Sequence, residues 1–124
     1  MKRVLIAEDE SFIAELYKTN LESAGISTGI AHDGEEAVNM IKKSKPELLL
    51  LDLLMPKMDG FAVLEWLKEN KKKGNPLPVI IVTNLSQKLS QKRCEELGVA
   101  DYIVKSDVGI DEILTIVKKY LKKK

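Results

Sequence analysis

Four leucines in a row, Leu48–Leu51, run directly into a carboxylate, Asp52. An apolar run without alternation predicts a strand buried on both faces, in the middle of a parallel sheet. A carboxylate that left water there without a partner would cost several kcal/mol, so Asp52 is expected at a wet, charged opening. Other short apolar runs also end in polar side chains. Val4–Ala7 runs into Glu8 and Asp9, Pro78–Val82 into Thr83, and the run after Asp101 into Lys105. In open α/β sheets, ligands bind beyond the carboxyl ends of the strands. Three carboxylates against one ammonium leave a formal charge of −2. Like charges this close raise one another's pKa unless a cation relieves them. Oxygen donors with no nearby His or Cys favour Mg²⁺ over zinc or iron. The chemistry such a rim supports is phosphoryl transfer. Mg²⁺ and Lys105 would neutralise the phosphoryl oxygens, an in-line carboxylate would attack phosphorus, and the Thr83 hydroxyl would hydrogen-bond a new phosphate oxygen. Each residue type alone is a weak signal; five at successive strand ends are a strong one.

For those residues to meet, five strands must lie side by side. After the first strand, a helix begins at Ser11, with Phe12, Ile13, Leu16, Tyr17 and Leu21 at helical spacing and Gly25 as its stop. Ser27–Ala31 forms a weaker second strand. Asp33 and Glu36 have capping-box spacing and open a helix that buries Ala37, Val38 and Ile41, closed by Pro46. Beyond Asp52, the loop from Leu53 to Gly60 is punctuated by Pro56 and Asp59-Gly60. A third helix starts near Phe61, with Phe61, Leu64 and Leu67 on one face; Trp66 lies off that stripe and is expected to be partly exposed. Lys71-Lys72-Lys73-Gly74-Asn75-Pro76 reads as a solvated helix end and turn. The fourth helix, roughly Gln87 to Leu97, has only Leu85, Leu89 and Leu97 as anchors and should be loosely held. Gly98 ends it, and Asp101–Val104 is the fifth strand. A last helix turns Ile110, Ile113, Leu114, Val117 and Leu121 inward, and Lys122-Lys123-Lys124 suits its C-terminus. Alternating strands and helices predict an α/β doubly wound parallel sheet, flavodoxin-like, with strand order 2-1-3-4-5. In that order the first, third, fourth and fifth strands are adjacent, so the polar residues share one rim.

The chain resembles the receiver domain of bacterial two-component response regulators over essentially its whole length, residues 1–124. The resemblance rests on Val4-Leu5-Ile6-Ala7-Glu8-Asp9-Glu10, Leu51-Asp52-Leu53-Leu54-Met55-Pro56-Lys57-Met58-Asp59-Gly60, Val82-Thr83 and Asp101-Tyr102-Ile103-Val104-Lys105. It implies that Asp52 accepts a phosphoryl group from a histidine kinase or histidine phosphotransfer protein. It also implies that Asp9, Asp52 and the backbone carbonyl of Leu54 hold Mg²⁺, with Glu8 acting through water. Lys105 would pair with the acceptor, Thr83 would follow the phosphate, and Tyr102 would be the aromatic switch. A downstream target would then be bound on the face made by the fourth helix, fifth strand and fifth helix. The chain departs from the family pattern in places. Glu8 replaces the first of two aspartates, and Asn84 stands where a small residue usually follows the threonine. Ser106 replaces the proline after Lys105, and a non-proline cis bond costs about 2.5–4 kcal/mol.

Composition fits this reading. The 124 residues carry 20 Lys+Arg against 19 Asp+Glu, a net charge of +1, which argues against direct nucleic-acid binding. One cysteine, Cys94, excludes a disulfide framework and a thiolate metal cluster. His32 stands by a different strand end and reads as a surface residue. No apolar run approaches the roughly 20 residues needed to span a bilayer, and Met1-Lys2-Arg3 leads straight into a strand, so the expected setting is cytoplasmic. The residues end with the fifth helix, leaving no room among them for an output domain. A flavodoxin-type electron carrier would need a hydroxyl- and glycine-rich phosphate loop where Glu8-Asp9-Glu10 stands. A haloacid-dehalogenase-type phosphatase would need a second acid at Leu54. A phosphate-independent interaction module stays open as the alternative. The expectation is a phosphorylation-controlled binding module, not an enzyme beyond self-phosphorylation and slow dephosphorylation at Asp52.

Overall fold

The computed structural model describes residues 3–70 and 76–122. Lysines 71–73 and the last two lysines therefore lie outside the described residues. The elements follow the order β1 (Val4–Ala7), α1 (Ser11–Ser23), β2 (Thr28–Ala31), α2 (Gly34–Lys43), β3 (Leu48–Leu51), α3 (Gly60–Glu69), β4 (Val79–Thr83), α4 (Lys88–Glu96), β5 (Asp101–Val104) and α5 (Ile110–Lys122), with a single 3₁₀ turn at Lys105–Asp107. All strand pairs are parallel, and the order is β2-β1-β3-β4-β5, as the sequence predicts. Among the described residues no peptide is cis, and no helix is long and apolar enough to cross a membrane.

The leucine strand is central because both of its faces are covered. Leu48 and Leu50 point into a core shared with Val4, Ile6, Ile80, Val82 and the inner stripes of α1 and α5. Leu49 and Leu51 point into a second core beneath α2, α3 and α4. All four leucines are at most 1% exposed, so the strand cannot slip by one residue without exchanging its two faces and disturbing both cores.

The helices correct the sequence reading in two places. On α1 the buried stripe is Ala14, Tyr17 and Leu21, whereas Phe12 is 74% and Leu16 41% exposed. The pair Phe12 and Leu16 lies on a neighbouring stripe, turned away from the sheet and α5. On α4 the anchor is Cys94, the only buried residue of the helix, while Leu89 is 82% exposed. Leu85 precedes the helix and Leu97 caps it, both half-buried. The loose hold expected of α4 therefore rests on fewer contacts than its leucines suggested.

Caps fix the remaining boundaries. The Asp33 carboxylate accepts a hydrogen bond from the Glu36 N–H at 2.8 Å, satisfying one of the free donors at the start of α2. Glu36 returns the favour one residue early, accepting from the His32 N–H at 3.2 Å instead of from Asp33. Its carboxylate also sits 3.2 Å from the exposed His32 ring. Asp59 caps α3 in the same way, accepting from Ala62 N–H at 2.9 Å. The two leucines test the layer assignment. Leu50→Ala should destabilise the fold by about 2–5 kcal/mol, the usual cost of a buried large-to-small change. Leu89→Ala should stay within about 0.5 kcal/mol, as for surface positions generally. Urea unfolding of both variants checks the contrast.

Candidate functional site

Strand register brings the sequence-predicted residues together. Ala7 pairs with Leu51 across β1 and β3, so the residues that follow, Glu8 and Asp52, leave the sheet side by side. On the other flank Thr83 pairs with Val104, which places Lys105 just beyond Thr83. The Asp52 N–H donates to the Ala7 carbonyl at 3.1 Å and the Glu8 N–H to the Ala31 carbonyl at 3.0 Å, extending the ladder by one step to both carboxylate-bearing residues.

The Lys105 ammonium bridges the two acids. Its Nζ donates to Glu8 Oε1 at 2.5 Å and to Asp52 Oδ2 at 2.9 Å. Glu8 is only 1% exposed and Asp52 5%, so this pairing is made largely out of water. Backbone groups satisfy the remaining oxygens: Leu54 N–H donates to Asp52 Oδ1 at 3.1 Å, and Glu10 N–H to Glu8 Oε2 at 3.2 Å. Asp9, by contrast, is exposed and turns its carboxylate to the open side. One carboxylate oxygen from each of Glu8, Asp9 and Asp52 lies within 4.8 Å of the others. Hard oxygen donors at that spacing, without His or Cys, fit a Mg²⁺ ion.

Burial pushes Glu8 above the ordinary carboxylate range; its hydrogen bond to Lys105 works against this and Asp52 adds to it. Burial would lower the Lys105 pKa, but the hydrogen bonds and charges of Glu8 and Asp52 overcome it and leave the ammonium more firmly protonated than usual. Both shifts are upward but for different causes: for Lys105 its two anionic neighbours prevail over burial, whereas for Glu8 burial prevails over its one cation.

Thr83 is fully buried at the end of β4, and its hydroxyl accepts a long hydrogen bond, 3.4 Å, from the Leu85 N–H. The same Leu85 accepts a 2.6 Å hydrogen bond at its carbonyl from the Tyr102 hydroxyl. Burial, with smaller contributions from Cys94 and Asp52, pushes the Tyr102 phenol up to about 12. Leu85 as the shared partner of both residues was not legible in the sequence, because a backbone carbonyl leaves no mark on residue type. Trp66 is half-exposed, as expected, with the Lys42 ammonium 5.7 Å from its ring. Asn84 is exposed at the rim.

Removing the cation tests the electrostatic balance. Lys105→Met leaves two neighbouring carboxylates without their ammonium and should cost about 3–5 kcal/mol at neutral pH in the absence of divalent metal. One of those carboxyls should then hold its proton to higher pH than in the unfolded chain. Such a raised folded pKa makes the native state bind more protons, so stability should recover as pH falls from 7 toward 5. Urea unfolding of the variant and wild type across that range, in chelator, measures both effects.

Comparison with known proteins agrees with this geometry. Residues 4–118 match the family model of the response regulator receiver domain. The chain is 38% identical over 104 residues to a probable transcriptional regulator, ycf27, of Porphyridium aerugineum, covering 84% of this chain and 42% of that one. It is 30% identical over 120 residues to the polar-differentiation response regulator DivK of Brucella anthropi, covering 97% of this chain and 96% of that one. The response regulator TrrA of Thermotoga maritima, solved in complex with Mg²⁺ and BeF, superposes with a TM-score of 0.81 at 32% identity, covering 97% and 99% of the two chains. The chain spans from 39% to 50% of the length of the first five curated relatives it matches. With its strand order and its acidic rim, the chain belongs to the response regulator receiver domain family, a family of two-component signalling switches rather than of catalytic enzymes.

Proposed function

We propose that Asp52 is the phosphoacceptor of this receiver and that its phosphorylation resets a protein-binding surface. The observation that carries the reading is the Lys105 ammonium, held 2.9 Å from Asp52 and 2.5 Å from Glu8 at the end of a fully buried strand. The donor would be a phosphorylated histidine of a kinase or phosphotransfer protein. An Asp52 oxygen forms the new O–P bond as the N–P bond breaks, and the electron pair leaves on the imidazole nitrogen, which then takes a proton. Mg²⁺, held by Asp9, Asp52 and the Leu54 carbonyl with Glu8 through water, would neutralise charge on the transferring group. Lys105 stays by Asp52 and pairs with a phosphoryl oxygen. Thr83 donates its hydroxyl to another. Beyond this self-phosphorylation and slow hydrolysis of the acyl phosphate the domain catalyses nothing.

Incubation with a small phosphodonor and Mg²⁺ should add one phosphate per chain. Asp52→Asn should abolish it, because the amide is not a nucleophile toward phosphorus. Mass spectrometry of the intact protein reads the result, and full labelling of the Asn variant overturns the reading.

The readout would run through Thr83 and Tyr102. Drawing the Thr83 hydroxyl toward a phosphate disengages it from the Leu85 N–H, a bond that at 3.4 Å is weak already. Leu85 also holds the Tyr102 hydroxyl, so its displacement frees that ring. α4, buried only at Cys94, can then move at small cost. A coupling of about 1–3 kcal/mol is ordinary between two such sites. A downstream target would be recognised on the face of α4, β5 and α5. A phosphate mimic at Asp52 should therefore change hydrogen exchange mainly between Asn84 and Asp107. Changes confined to α1 and α2 would rule the route out.

A further inference from the structure

The loop after Asp52 is held from a side that the phosphoacceptor chemistry does not use. Gly34, the first residue of α2, is buried directly against it. A Cβ on Gly34 would overlap the Met58 carbonyl oxygen and stand 2.7 Å from its carbon and 2.9 Å from the Met58 Cβ. The loop is also tied down by its own backbone hydrogen bonds. Its far end is closed by the Gly60 N–H, which donates to the Leu53 carbonyl at 3.0 Å. Met58 N–H donates to the Pro56 carbonyl at 2.7 Å, and the next residue, Asp59, is committed to capping α3. Gly60 is itself packed so closely that a Cβ there would come within 2.7 Å of the Leu53 Cα.

A second tie comes from the residue before Gly34. Asp33 caps α2 with Oδ1 and faces the Lys57 ammonium with Oδ2, 3.8 Å away. Lys57 is the only non-glycine residue with positive φ among those described, 65°. Few non-glycine residues adopt that conformation, and the Asp33 carboxylate is the charged group that Lys57 faces there.

We propose that the N-terminus of α2, through Gly34 and secondarily Asp33, is a positioning element for the acceptor loop. It sets the place of the Leu54 backbone, whose N–H already orients Asp52 and whose carbonyl faces the metal in the reading above, on which this inference rests. Gly34 touches neither phosphate nor metal. It acts by allowing α2 to approach the loop more closely than any side chain permits.

The test is the Mg²⁺ affinity of the full chain, measured by calorimetry without any phosphodonor. Gly34→Ala should weaken Mg²⁺ binding about tenfold or more, with faster amide exchange across residues 53–59. Gly109→Ala is the control, since a Cβ there meets nothing closer than Glu112 Oε1 at 4.0 Å, and it should leave the affinity unchanged. Excess Mg²⁺ should restore phosphorylation of Gly34→Ala, and urea unfolding in chelator, where no metal can stabilise the fold, separates weakened binding from a folding defect. A folded Gly34→Ala that binds Mg²⁺ like wild type overturns the inference. If that variant does not fold, Asp33→Asn decides, because asparagine caps as well as aspartate but loses the charge facing Lys57. A two- to threefold loss of Mg²⁺ affinity supports the tie, and no loss overturns it. Wild type that fails to bind Mg²⁺ would instead count against the phosphoacceptor reading itself.

Discussion

The structure depends on one electrostatic arrangement: a single ammonium shared by two carboxylates at the end of the most buried strand. Glu8, Asp52 and Lys105 come from β1, β3 and the end of β5, 97 residues apart at the extreme. None of the three could be buried alone, because an unpaired charge in that position costs several kcal/mol. Together they are tolerable, yet the cluster of three carboxylates and one lysine keeps a residual negative charge that faces the open side through Asp9. That residual charge is the functional asset. In the proposed reading it would draw a divalent cation to the rim, and phosphoryl oxygens would sit between that cation and Lys105. The doubly wound order β2-β1-β3-β4-β5 is what makes the arrangement reachable, since it sets β1 beside β3 and β5 two strands away.

Much of this was legible in the sequence for a simple reason. Strands covered on both faces must be apolar throughout, so Leu48–Leu51 and Val79–Val82 announce themselves, and a charged residue at the end of such a run has no packing role to play. The topology and the five rim residues follow from those runs and from the short connections. What the sequence hid were contacts that residue type does not encode. Leucines at helical spacing suggested how α4 is anchored, but the single buried residue is Cys94, because the approach of a helix to a sheet is decided by its neighbours. Phe12 and Leu16 fit helical periodicity equally well on an exposed stripe as on a buried one. The Leu85 carbonyl and the contact of Gly34 with Met58 are backbone features, visible only once the elements are in place.

The two layers flanking the sheet are unequal, and the inequality has a mechanical consequence. α1 and α5 each bury three residues against the sheet and against one another. On the other layer α2 and α3 are capped by aspartates and packed against the loop after Asp52, while α4 has no side-chain cap and one buried residue. α4 is also tied to α3, where Arg93 stacks 4.2 Å from the Phe61 ring centroid and pairs with Glu65 at 2.6 Å. Both partners belong to α3, and Arg93 and Glu65 are exposed, so the ion pair itself is worth little.

A change at Asp52 therefore meets a stiff boundary in one direction and a soft one in the other. Toward α2 and α3, the loop after Asp52 is packed against Gly34 and Gly60 at distances that leave no space for a Cβ. Toward α4, the connection runs through Thr83 and Leu85, where one long hydrogen bond and one short one lead from the rim to the Tyr102 hydroxyl. Packed interiors transmit strain along their least resistant contacts because they deform in discrete rearrangements rather than evenly. On the proposed reading, the direction of signalling would be set less by the phosphate than by which of its neighbours gives way, and the weak 3.4 Å bond at Leu85 marks that neighbour.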